Sequence, residues 1–172
     1  MKNLSAIILT LLSMVLFSLS GYSQGKIGHL NSEEVIQAMP ETDSINKILN
    51  ALQADYRKLA EELEVQYNNV VEEYSSQYES LKPMERKLKE SEIGDLQKRI
   101  QTFSTESQNE YVKQRQDLFS PVYEKARKAI EEVGKANGFQ YIIDSSQGIL
   151  LLLPEDESLN LLPRVKQKLG IG

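Results

Sequence analysis

Nucleophiles and metal ligands are scarce in this chain, so a search for chemistry starts from few residues. There is one histidine, His29, and there are no cysteines or tryptophans. His29 falls inside the run Ile27-Gly28-His29-Leu30 with no second ligand at metal-binding spacing, and it reads as a structural strand residue. Glu61-Glu62 and Glu72-Glu73 are paired carboxylates. A glycosidase needs its two acids across a substrate cleft, whereas adjacent acids on a charged helix read as surface. Asp144 closes a strand pattern just before Ser145-Ser146 and reads as turn chemistry. No Gly-x-x-x-x-Gly-Lys-Ser/Thr loop, Gly-x-Ser-x-Gly elbow or His-Glu-x-x-His pair occurs. The sequence therefore assigns no catalytic residue, no metal ligand and no cofactor, and it reads as a protein that is not an enzyme.

What remains is contact chemistry. Tyr56, Tyr67, Tyr74 and Tyr78, followed by Phe103 and Tyr111, recur on helical stripes. A tyrosine on a stripe is ordinarily core, but a ring with a hydrated hydroxyl also suits adaptable contact with unfolded chains. These six are the candidates for touching a client. Lys82, Met84, Arg86, Lys87 and Lys89 cluster about Pro83, where four nearby bases face the single acid Glu85. Such a cluster either meets an anionic surface or client, or simply solvates a turn. A weak contact with a membrane surface stays open on this reading.

The elements that must position these residues are two long helices. From Thr42 to Asn137 the only breakers are Pro83, Gly94, Pro121 and Gly134. Ile45, Ile48, Leu52, Tyr56, Leu59, Leu63, Tyr67, Val70, Tyr74, Tyr78 and Leu81 form a stripe whose spacings of 3, 4 and 4 repeat every eleven residues. Eleven residues in three turns is about 3.67 per turn, which keeps the stripe on one side of a nearly straight helix. After Pro83 a second stripe has the same period: Leu96, Ile100, Phe103, Ser107, Tyr111, Gln114, Leu118 and Val122, with polar lapses at Ser107 and Gln114. Two arms of matching period around a sharp turn predict an antiparallel hairpin over 43–120, each arm on the order of 55 Å long. Pro121 removes a helical hydrogen bond and predicts a kink where arm gives way to body. It is the candidate hinge, with Ser107 and Gln114 as further points of bending.

The remainder divides into a leader and a body. Lys2, the apolar run from Leu4 to Leu19 and the small residues Gly21 and Ser23 predict a cleavable secretory signal over 1–23, and with it an exported, periplasmic protein. The full chain carries net charge −5 and loses only Lys2 with the leader, so the mature chain is slightly more acidic still. That balance argues against general nucleic-acid binding, and the lack of cysteine rules out a disulfide framework.

The body comprises 24–42 and 121–172. Lys26 to Leu30 predicts a strand, and Asn31 with Glu34 three residues on predicts a capped short helix stopped by Pro40. Thr42 or Asp43 then starts the first arm. Asn137-Gly138 ends the second arm's helix. Phe139 to Asp144 predicts a strand, Ser145 to Gly148 a hairpin turn, Ile149 to Leu153 a third strand, and Leu159 to Leu169 a closing helix interrupted at Pro163. The fold class is thus α+β: a small three-stranded body and a long protruding helical hairpin. The last strand is apolar on both faces and needs cover on both, so Ile149, Leu151 and Leu153, together with Ile142, are expected to lie between copies of the same chain.

In that order, the sequence resembles the Skp/OmpH family of periplasmic chaperones. The resemblance is carried by Lys26 to Val35, by Pro121 with Ala126 to Val133, and by Asn137-Gly138-Phe139-Gln140-Tyr141-Ile142-Ile143-Asp144. It implies a homotrimer whose three chains share one small β-barrel and whose hairpins enclose a cavity for unfolded outer-membrane proteins, without ATP. The alternative reading is a coiled-coil adaptor of the cell envelope that docks a folded partner through its hairpin tip.

Overall fold

A computed structural model of the chain describes residues 25–148, 152 and 154–171. The leader expected over 1–23 lies outside the described residues. So does the third strand expected over 149–153 except for Leu152, whose side chain is exposed.

Strand β1 (Lys26–Leu30) leads into α1 (Ser32–Ala38), then α2 (Pro40–Gln77), α3 (Pro83–Ala136) and β2 (Phe139–Asp144). A short 3-10 turn (Glu157–Leu159) and α4 (Leu162–Leu169) complete the described elements. The two strands are parallel neighbours, Ile27 opposite Tyr141 and His29 opposite Ile143. Parallel strands cannot be joined by a tight turn and require a crossover; here the whole helical hairpin is part of that crossover. On its other side β1 meets Asn160 in an isolated bridge, fixed by the Leu161 N–H donating to the His29 carbonyl at 2.9 Å.

Prolines mark starts in this fold more than stops. Pro40 both ends α1 and opens α2 at its first turn, so the first arm begins two residues earlier than Thr42. Thr42 has another role: it is buried, and its hydroxyl donates to the Ile36 carbonyl near the end of α1, a second donor beside the Met39 N–H. Pro163 likewise begins α4 and does not interrupt it. A proline in the first turn forfeits no hydrogen bond, because those N–H groups have no helical partner. Pro121 is the exception: it lies inside α3, which runs on through it to Ala136. The proline costs the helix one hydrogen bond and does not end it, since its neighbours Phe119 and Val122 are both anchored in the core.

The core gathers where these elements meet. Val35 of α1 and Met39 just after it, Leu30 of β1, and Leu161 and Val165 at α4 are almost wholly buried. They pack on Val122, Ala126, Ala129 and Val133 of α3, and the cluster extends onto Ile45, Leu49 and Phe119 at the base of the hairpin. Each such aliphatic side chain contributes about 1.5–3 kcal/mol by leaving water. Gly28 is required by this packing: a Cβ there would lie 2.2 Å from Leu161 Cδ1 and 2.7 Å from Phe139 Cε1. The opposite face of the sheet is open, with Ile27 49%, Tyr141 68% and Ile143 40% exposed.

Candidate functional site: the arms and the open sheet face

Along α3 every residue of the expected stripe, from Leu96 to Val122 and including Ser107 and Gln114, is at least partly buried. Along α2 the eleven-residue period holds, but one of its three columns is displaced by one position. Ile48 and Leu59 are 53% and 45% exposed, whereas Leu49 and Ala60 turn inward. The two columns lie about 100° apart on the helix, and apolarity alone does not say which edge of a stripe is the middle. Ile48 and Leu59 thus form an apolar edge along the outside of the seam.

The six aromatic candidates fall into two sets. Tyr56, Phe103 and Tyr111 line an open cleft of about 550 Å³ between the arms, together with Ala60, Leu63 and Ile100. Its rim is polar, with Arg57 and Glu64 on one arm and Ser104 and Gln108 on the other. Tyr56 and Phe103 meet edge to face, with centroids 6.2 Å apart. Partial burial pushes the Tyr56 phenol above its ordinary pKa, and the charge of Glu110 adds to the rise. Ser107, in the middle of the seam, lines this cleft and fills less space than the apolar side chain the repeat would place there.

Tyr67, Tyr74 and Tyr78 are engaged in holding the outer hairpin together. The Tyr67 hydroxyl accepts from Gln97 Nε2 at 2.9 Å, and the Tyr74 hydroxyl donates to Glu90 at 2.6 Å. That bond to a carboxylate, with partial burial, pushes the Tyr74 phenol up to about 12. Tyr78 stacks edge to face on Tyr74 and lies under the Arg86 guanidinium at 4.2 Å.

The tip cluster is likewise partly spent on structure. Arg86 Nε donates to the Leu81 carbonyl at 3.1 Å, bracing the turn. Lys89 pairs with Glu73 across the arms at 2.8 Å and with Glu92 at 3.5 Å, and the hydrogen bond it donates to Glu73 raises its pKa. The Lys82 backbone N–H donates to Glu85 at the start of α3. Only Lys82 and Lys87 of the four bases have side chains with no acidic or aromatic partner among the described residues, so the cluster is a weaker positive patch than its sequence suggests. Met84 and Leu88 are the most exposed apolar residues there.

At the body, Ile142 turns toward α3, where a Cβ on Gly134 would come within 2.4 Å of its Cδ1. It belongs to the chain's own packing, and the residues of β1 and β2 that face outward are instead Ile27, Tyr141 and Ile143. Strand alternation over Tyr141, Ile142 and Ile143 predicts that Ile142 faces the opposite way from the other two, but not which side is inward, and Phe139 is buried across the register irregularity that precedes them. Ile149, Leu151 and Leu153 lie outside the described residues. His29 shares the outward register, yet its Nε2 is shielded from solvent and has no hydrogen-bond partner among the described residues. Asp144 does more than close a turn. Its carboxylate accepts from the Ser146 N–H at 2.9 Å, as a turn residue would, but also from the N–H and hydroxyl of Ser32 at the start of α1. Burial pushes its pKa up, and these hydrogen bonds outweigh burial and hold it below the usual aspartate range.

The family model described as outer membrane protein (OmpH-like) matches residues 26–169. The chain belongs to this family. The OmpH-like match runs from the first residue of β1 to the last of α4, so it spans the hairpin and both strands. Among solved structures the fold is similar to that of an OmpH-like protein from Caulobacter crescentus, provisionally designated an outer membrane chaperone. The TM-score is 0.70 at 11% identity, covering 87% of this chain and 86% of that one. Among curated proteins nothing matches the sequence. No described helix is long and apolar enough to cross a membrane.

Proposed function

We propose that this protein is an ATP-independent holdase of the periplasm that keeps unfolded outer-membrane β-barrel proteins from aggregating. Family membership and the chaperone designation of the Caulobacter crescentus protein support this reading. The observation that carries it is the arm itself. Its seam is thin, and between the tightly bonded tip and the packed base it leaves a cleft with aromatic walls and a polar rim. Such a surface suits many weak contacts with an extended chain, because each ring offers apolar area while its hydroxyl stays wet.

In this proposal residues 43–120 are the arm and residues 24–42 with 121–172 the association body. The body is a homotrimer in which the open faces around Ile27, Tyr141 and Ile143 meet, and the last strand over 149–153 joins them. Three arms then enclose one cavity, release follows mass action, and Pro121 with the polar positions Ser107 and Gln114 lets the arms adapt to clients of different size. Tyr56, Phe103 and Tyr111 are the first candidates for client contact. The exposed Met84 and Leu88 favour one other reading, an adaptor that docks a folded partner through the tip.

The test is light scattering during dilution of a urea-unfolded outer-membrane β-barrel protein into the mature protein. A soluble particle with the mass of three chains and one client is expected. Precipitation of the client beside an unchanged oligomer would overturn the holdase, and loss of a folded partner's binding on Met84→Glu alone would establish the adaptor.

A further inference from the structure

The joint between the arm helix and the sheet is an asparagine-glycine pair. Asn137 caps α3 and Gly138 follows with φ +73, the left-handed conformation that glycine adopts freely. Both residues are exposed, and nothing lies within 4 Å of where a Cβ on Gly138 would sit. The flanking glycine therefore puts no side chain in the way of attack by its own backbone nitrogen on the asparagine side chain.

We propose that Asn137 is a deamidation site that its own cap keeps masked. In the reaction the Gly138 backbone nitrogen loses its proton and bonds to Asn137 Cγ. The bond from Cγ to Nδ2 breaks, ammonia leaves, and a succinimide ring remains. Water then opens the ring at either carbonyl, leaving aspartate or isoaspartate. In the folded chain both groups are occupied. Asn137 Nδ2 donates to the Val133 carbonyl at 2.7 Å, and the Gly138 N–H donates to the Lys135 carbonyl at 3.2 Å. Reaction then has to wait for the end of α3 to open, a local event distinct from global unfolding.

Once it has occurred, the cap cannot re-form as it was. A carboxylate has no proton to give the Val133 carbonyl, and it places negative charge at the negative end of a helix. The neighbouring cations are already engaged: Lys135 in the last turn of α3 is paired with Glu131, and in the cleft that Asn137 shares with α4 Lys168 is paired with Glu132 at 2.9 Å and Arg164 donates to the Ser158 carbonyl. Isoaspartate also adds a backbone carbon at the joint to Gly138, two residues before Phe139, whose ring is fitted against Gly28 and under Lys26. The modification would thus act on the seat of β2, and through it on the open sheet face.

The experiment uses the mature protein, folded and in urea, incubated at mildly alkaline pH, with ammonia release and peptide mass spectrometry at residue 137. Conversion is expected to be at least about tenfold slower in the folded protein, to be abolished at this position in Asn137→Gln, and to lower the urea midpoint of aged protein as Asn137→Asp does. Equal rates folded and unfolded would overturn the masking. A slower reaction at residue 137 than at the other asparagines of the unfolded chain would overturn the site. An Asn137→Asp variant as stable as the parent would overturn the consequence.

Discussion

Asp144 shows how one side chain ties distant parts of the chain. It stands at the end of β2 and holds the first residue of α1 by two hydrogen bonds, 112 positions away in sequence. Hydrogen bonds to a charged group are worth about 1.5–3 kcal/mol each, and removing their shared acceptor strands the donors. Asp144→Ala should therefore lower stability at neutral pH by about 1–3 kcal/mol, measured by urea unfolding, because the site is partly wet. The pH dependence has a definite sign. The folded carboxyl is held below the unfolded value of about 3.9, so its contribution is complete above that value and is lost as pH falls through the lower folded value. The acid limb of the stability profile should be shallower in Asp144→Ala, and an unchanged limb would show that the carboxylate is not held. The local half of this arrangement, the turn at Ser146, was legible in the sequence; the Ser32 half was not, because no local pattern reports which helix start a strand end will meet.

At the scale of the element, the arms read almost completely from their period. Eleven residues in three turns return each column to the same side, so a stripe is visible without any partner. The placement of Ile48 and Leu59 outside, with Leu49 and Ala60 inside, was decided by the second helix, whose seam admits only one edge of a wide stripe. Ser107 lines the open middle of this seam, and Gln114 is a second polar residue partly buried along it. Ser107→Leu and Gln114→Leu should each stabilise the hairpin by roughly 1 kcal/mol of added apolar burial, read as a higher thermal midpoint. In the proposed holdase Ser107→Leu also fills the cleft by Tyr56 and Phe103, which Ser107 lines, and suppression of client turbidity should fall in that variant. If both readouts stay at the parent level, the polar positions do not control the seam. Farther out, the bond from Tyr74 to Glu90 makes an optical marker. Its phenol is raised to about 12, so its stabilising share is full below pH 10 and disappears as pH rises through about 12. Alkaline absorbance titration should show one late tyrosine that Tyr74→Phe removes, and a titration unchanged by that substitution would count against the bond.

For the molecule as a whole, the sheet poses the question of self-association. Two parallel strands with one face on α3 and the other open leave apolar side chains in water, a surface that marks interfaces. Ile143→Asp should reduce the particle mass toward one chain in sedimentation velocity while the helical circular dichroism persists. Ile142→Asp should instead unfold the body, since that side chain packs on Gly134. A full-size oligomer with Ile143→Asp would place the interface elsewhere. The pair of variants separates assembly from folding, which a single substitution on this strand does not.

Read alone, the sequence determined the features that depend on neighbours along the chain. Among them are the helical period and its polar lapses, the Asn31 cap, which accepts from the N–H groups of Glu33 and Glu34, and the left-handed stop at Gly138. These are short-range effects of backbone geometry and spacing. Only the tertiary structure decided the parallel pairing of β1 with β2, the inward turn of Ile142 against the outward turn of Ile143, and the absorption of Pro121 into a continuous α3. It also divided the aromatic residues between the tip and the cleft. Each of those depends on which surface arrives from far away in the chain, and hydrophobicity, being non-directional, marks what will be buried without saying against what.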